Sequence, residues 1–203
     1  MRGKRAVRLA PGSLPPIASR ATGGGRWTVG VFVYRGVSTS EIDEPVVRLA
    51  ARLDADIMTI APDPGAVHGV EPSREIEVDH TVETAPAVDV LVVPGGLGWK
   101  QVIDHAPSRE WLARAAVDAK GILAISTGSL LLASVGRLDG RDATGHWLAD
   151  ADLAALGAVV TGERTAAADE GRVATASGTL SALQVVDELA TRSRWVEWMR
   201  PST

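Results

Sequence analysis

The stretch Gly121–Ala133 constrains this chain more than any other. Residues 121–125 (GILAI) make an apolar run long enough for one buried strand, and a helix is expected from Thr127 on, with only Ser126 between. A strand that passes into a helix so abruptly turns at the carboxyl edge of a sheet, a nucleophile-elbow-like corner that presents its side chain outward. The backbone N–H groups that open the helix point at whatever that side chain touches. Ser126 holds the corner. Pro94-Gly95-Gly96 closes another apolar strand, and Asp142–Trp147 (DATGHW) supplies a histidine, His146, that returns to the same edge.

Around this corner, apolar runs alternate with helix-periodic segments. Residues 28–34 (TVGVFVY), 57–61 (IMTIA), 88–93 (VDVLVV) and 121–125 read as strands, the third of the fully buried kind. Residues 41–53 read as a helix, with Val46, Leu49, Ala50 and Leu53 on one face and Ser40 as its N-cap. Glu41, Asp43 and Glu44 suit the positive end of that helix, and Pro45 must lie near its start. Helices are expected over 111–119, 127–135, 148–156 and 180–191, short strands near Val159 and Val173, and a small hairpin or edge strand around 75–78. Strand and helix in alternation make an α/β fold with a mostly parallel sheet covered on both faces.

Length allows one domain that buries about 70% of its unfolded surface. No run approaches a membrane span. With no cysteine, disulfides and thiolate metal sites are excluded. Residues 1–26 carry six Arg or Lys and no acid, and the net charge of −4 therefore leaves the remainder near −10. An acidic body argues against nucleic acid as a partner. We expect residues 1–26 to be a disordered basic Pro/Gly-rich tail, 27–195 the domain and 196–203 a C-terminal tail. The first tail lacks the apolar core of a secretory signal, and its acid-free, Arg-rich character leaves a targeting role as the alternative. The chain ends without room for a helix-turn-helix, so a one-chain transcription factor is not expected.

Ligands in such sheets bind beyond the carboxyl ends of the strands. Glu41, Gly95-Gly96 and Ser126-Thr127 all fall there. The N–H groups of Gly96 and Thr127 are candidate oxyanion donors, His146 a general base for Ser126, and Glu41 a proton donor or acceptor. Trp99 and Trp147 are placed to wall a pocket. Each residue also has a plain structural role open to it: Ser126 as a helix cap, Glu41 as a first-turn charge, His146 as a half-buried ring, Gly95-Gly96 as a turn. Their shared placement argues for a site. His68, His80 and His105 lack metal-ligand spacing, the glycines of 95–98 are wrongly spaced for a dinucleotide, and no P-loop is present, so no metal and no cofactor is expected. Residues 124–128 form a relaxed G-x-S-x-G, but the only later histidine follows after twenty residues, against an α/β-hydrolase order.

Taken together, several segments resemble the ThiJ/PfpI (DJ-one) superfamily over about residues 28–192. They are Gly36-Val37 with Glu41 and Pro45, Asp89–Gly98, Ser126–Ala133 with Gly136–Arg141, Ala143–Trp147, and Thr175–Gly178. The match looks closest to the branch of isonitrile hydratases and the amidotransferase-like domains of AraC-type regulators. The resemblance implies a flavodoxin-like three-layer sandwich of the class I glutamine amidotransferase type. It also implies a cytoplasmic homodimer acting on a small molecule, with no membrane partner. In that family the corner residue is a nucleophilic cysteine assisted by an acid and sometimes a histidine; carried over, these roles fall on Ser126, Glu41 and His146. A serine hydroxyl is far less acidic than a thiol and needs a positioned base. Two functions follow: a hydratase or hydrolase of the isonitrile-hydratase type, or a non-catalytic module that keeps the pocket to bind a small ligand.

Overall fold

The computed structural model describes residues 26–71 and 74–191. From the amino end, β1 (Trp27–Phe32) leads through a 3-10 turn (Thr39–Glu41) into α1 (Asp43–Leu53) and β2 (Ala55–Ala61). A hairpin of β3 (Ala66–His68) and β4 (Glu75–Glu77) and a short β5 (His80–Thr81) precede β6 (Val90–Val93). Next come α2 (Trp99–Asp104), α3 (Ala106–Asp118), β7 (Gly121–Ile125) and α4 (Gly128–Ser134). The chain continues through β8 (Asp142–Ala143), α5 (Asp150–Ala155), β9 (Val159–Val160), β10 (Thr165–Ala168), β11 (Val173–Ala176) and α6 (Thr179–Thr191).

Seven strands form the main sheet in the order β10-β11-β7-β6-β1-β2-β5, parallel at every pairing except the antiparallel β10–β11 edge. In chain order the five central strands run 2-1-3-4-5, the doubly wound arrangement whose crevice opens between its first and third strands. Here that switch point lies between β1 and β6. Helix α1 packs with α6, while α2, α3 and α4 pack with one another, so the sheet is covered on both faces. Every residue of β6 and β7 is buried, as central parallel strands require.

Local chemistry explains the helices that frame the crevice. Asp43 and Glu44 sit in the first turn of α1, and Pro45 is tolerated there because that turn's N–H groups have no helical acceptor. Val46, Leu49 and Ala50 form the buried stripe; full burial of Leu49 contributes about 2 kcal/mol. Asp54, in the left-handed conformation, ends the helix. In helix α4 Gly128–Ala133 are all buried, Ser129 among them.

Some expectations shift. The helix expected over 41–53 starts at Asp43, with Ile42 rather than Ser40 at its N-cap, and Glu41 belongs to the preceding turn. The cause is tertiary: Val37 bridges Gly96, and Ser38 N–H donates to the Gly95 carbonyl at 2.8 Å, which holds segment 36–41 against the next strand's end. Helix α2, too short for a periodic signal, and the alanine-rich β10, formed by pairing with β11, were not foreseen. The expected tails lie outside the described residues, apart from Arg26. No helix among the described residues is long and apolar enough to cross a membrane.

Candidate active site

Ser126 is where the sheet ends and α4 begins. Its N–H donates to the Ala176 carbonyl at 2.7 Å, prolonging the β7–β11 ladder by one bond. The chain then turns with Ser126 at φ 57, a left-handed conformation that a non-glycine residue adopts at a cost of about 1 kcal/mol. Ser126 is 6% exposed, so the corner is buried. The N–H of Thr127 has no acceptor among the described residues.

Glu41 comes from the other side of the switch point. Its Oε2 accepts the Gly95 N–H at 2.6 Å, and the residue is 7% exposed. Burial raises its pKa above the usual carboxylate range; the Gly95 N–H and the Ser126 hydroxyl draw it back only in part. No arginine, lysine or histidine pairs with it among the described residues. Glu41 is therefore a carboxyl whose protonated form burial favours, beside the Ser126 hydroxyl.

Gly95 makes this contact possible. A Cβ there would stand 2.8 Å from the Thr127 nitrogen and 2.9 Å from the Ser126 Cβ, filling the niche and covering the one free amide. Gly96 departs from expectation. Its N–H is not available to a ligand, because it donates to Thr127 Oγ1 at 2.9 Å, and Thr127 Oγ1 donates back to the Gly96 carbonyl at 3.1 Å. Of the two amides proposed as oxyanion donors, only that of Thr127 is unpaired.

His146 approaches the site without joining it. Thr144 is anchored by three bonds: its N–H donates to Thr175 Oγ1, its carbonyl accepts from Ser129 Oγ, and its hydroxyl donates to the Glu163 carbonyl. Gly145 is thereby pressed against the Ser126 carbonyl. Beyond it, His146 Nδ1 accepts the Leu148 N–H at 3.3 Å as the cap of a short 3-10 turn, and its ring stacks on Trp147 at 5.9 Å. No hydrogen bond joins it to Ser126. Trp147 is 73% exposed, whereas Trp99 is partly buried at the start of α2 with Lys100 over its ring.

Reasoning from the sequence missed Tyr34. It is 2% exposed, and its hydroxyl donates to the Pro94 carbonyl at 3.1 Å, directly beneath the turn that holds Glu41. A polar-tipped aromatic at the end of an otherwise aliphatic buried run was the available signal, since a buried phenol needs a partner.

This fold and this corner define a class. The DJ-1/PfpI family model matches residues 28–192, and the chain belongs to that family. A ThiJ/PfpI family protein from Pseudomonas syringae superposes with a TM-score of 0.73 at 24% identity, over 95% of this chain and 84% of that one. An isonitrile hydratase of Pseudomonas putida is 27% identical over 136 residues, 67% of this chain and 59% of the relative. The HTH-type transcriptional regulator GbdR of Pseudomonas aeruginosa is 38% identical over 76 residues, 36% of this chain and 20% of the relative. The chain thus spans less than two thirds of the length of either curated relative.

Proposed function

We propose that the protein adds water to the terminal carbon of a small isonitrile or a related carbon–nitrogen substrate, by acid–base chemistry centred on Glu41. The observation that carries this reading is the buried Glu41 carboxyl, its pKa raised, beside the Ser126 hydroxyl and without a cationic partner among the described residues. An isonitrile carbon is basic and accepts a proton directly. Glu41 gives its proton to that carbon, and the resulting cation is attacked there by water held by the Ser126 hydroxyl. The water's surplus proton returns to the Glu41 carboxylate. The imidic acid so formed moves its O–H proton to nitrogen and leaves as the formamide. No bond to Ser126 is made, which suits a hydroxyl that lacks an activating base. The free Thr127 N–H faces the oxygen as charge shifts on it.

Turnover of cyclohexyl isocyanide by the full chain tests this. Formation of N-cyclohexylformamide should fall about 100-fold in Glu41→Ala. Equal background rates in both proteins would overturn the reading. A second reading, a binding module without turnover, is favoured by one observation: the Gly96 N–H and His146 Nδ1 are both spent on internal bonds. Calorimetry that shows saturable isocyanide binding with no formamide produced would select it.

A further inference from the structure

We propose that Tyr34 is the positioning residue of this site: its hydroxyl anchors the Pro94-Gly95-Gly96 turn and thereby sets the geometry in which Glu41 is held. This rests on the reading of Glu41 as the working acid.

Three segments meet at the turn. Pro94 has no N–H, so its carbonyl is the only backbone group it can use to fix its place. That carbonyl accepts one hydrogen bond among the described residues, from Tyr34, and a Cβ added at Gly128 would stand 2.9 Å from it. The next two amides do the work of the site: Gly95 N–H holds Glu41 Oε2, and Gly96 N–H holds Thr127 Oγ1. A single buried hydroxyl therefore holds the carbonyl whose own peptide carries the Gly95 N–H, with the Gly96 contact one residue further on. Burial first and the Glu41 charge second push the phenol far above its ordinary range, while the Thr127 hydroxyl opposes them. The phenol stays protonated and acts as a donor. Its ring is locked by Phe32, whose other neighbour is Trp111, with centroids 5.7 Å and 5.6 Å apart. Burying a hydroxyl is costly unless it bonds, and this one bonds to a carbonyl whose neighbours grip the acid.

The groups that act on Glu41 are few. The Gly95 N–H approaches from the β6 end and the Ser126 hydroxyl from the β7–α4 corner, and the Tyr34 hydroxyl acts through the Pro94 carbonyl. Loss of the Tyr34 hydroxyl frees the turn, lengthens the Gly95 bond that favours the carboxylate, and moves the Glu41 titration upward.

The test reads Glu41 itself. The full chain is labelled with glutamate carbon-13 at Cδ, and the Glu41 signal is assigned by its loss in Glu41→Gln. In Tyr34→Phe its midpoint should rise by about half a pH unit or more, and the Gly96 amide proton should exchange faster. Trp111→Phe disturbs the same ring stack without touching Pro94; its Glu41 midpoint should stay at the wild-type value. A Tyr34→Phe midpoint equal to wild type, or a Trp111→Phe midpoint shifted as far, overturns the proposal. The titration needs no turnover, so a wild-type chain inactive on isocyanide would defeat the proposed reaction and leave this measurement decisive for Tyr34.

Discussion

The two ends of β7 carry two carboxyls treated in opposite ways. At the carboxyl end Glu41 is buried beside the Gly95 amide and the Ser126 hydroxyl, and its pKa is raised. At the amino end Asp169 is also desolvated, but hydrogen bonds from Arg141 and Arg137, each 2.6 Å long, outweigh that and hold its carboxyl below the usual range. Arg172 approaches the same carboxylate at 3.9 Å and donates to the carbonyls of Val117 and Ala119, tying down the end of α3. Burial alone thus does not set a carboxyl's pKa; whether a cation compensates for it does, and among the described residues Glu41 has none. Asp169 is fixed as a charge that ties loops together. Glu41 is left able to gain and lose a proton.

Substitutions can break this contrast. The largest effect is expected for Gly128→Ala, because a Cβ there would overlap the Val93 carbonyl oxygen and press on Pro94. Backbone cannot yield as a side-chain tip does, so the variant should lose about 3 kcal/mol in urea unfolding, with the corner of the site displaced. A variant as stable as wild type would show that α4 does not clamp the turn.

Next in size is Asp169→Asn, which leaves three partly buried arginines without their anion. With side chains 16–35% exposed, the loss should be about 2 kcal/mol at neutral pH, less than for a fully buried pair. The sign with pH follows from the lowered pKa: the carboxylate's contribution is present above its unfolded value and is lost as pH falls through the folded one. Wild type and variant should therefore converge below about pH 4. A gap that persists in acid would mean the arginines are not held by that charge.

Glu41→Gln should have the smallest effect on stability, and the opposite sign. A carboxyl whose folded pKa is raised stabilises the fold at pH below its unfolded value, and that contribution is lost as pH rises through the folded one. Above about pH 4.3, wild-type stability should therefore decline where the glutamine variant's stays level. Parallel pH profiles would remove the claim that this acid stores a proton.

Much of the frame was legible because it depends on local pattern. The apolar β-branched runs at 28–34 and 121–125, and the i, i+3, i+4, i+7 stripe of α1, report burial through period alone. Ser126 and Gly95 were legible as well, since a strand end followed at once by small residues has few conformations open to it. Less visible were β10, a run of alanines that becomes a strand by pairing with β11, and α2, which spans only six residues.

The order of residues by itself determined the layered α/β sandwich, the sharp corner at Ser126 and the presence of an acid near the same edge. Only the tertiary structure decided that the Gly96 amide is occupied by Thr127, that His146 caps its own turn, and that Tyr34 lies beneath Pro94. These outcomes are bonds between groups far apart in the chain, 54 residues for Glu41 and Gly95 and 60 for Tyr34 and Pro94. Periodicity tells which face of an element is buried; which donor meets which acceptor depends on where separate elements come to rest against one another.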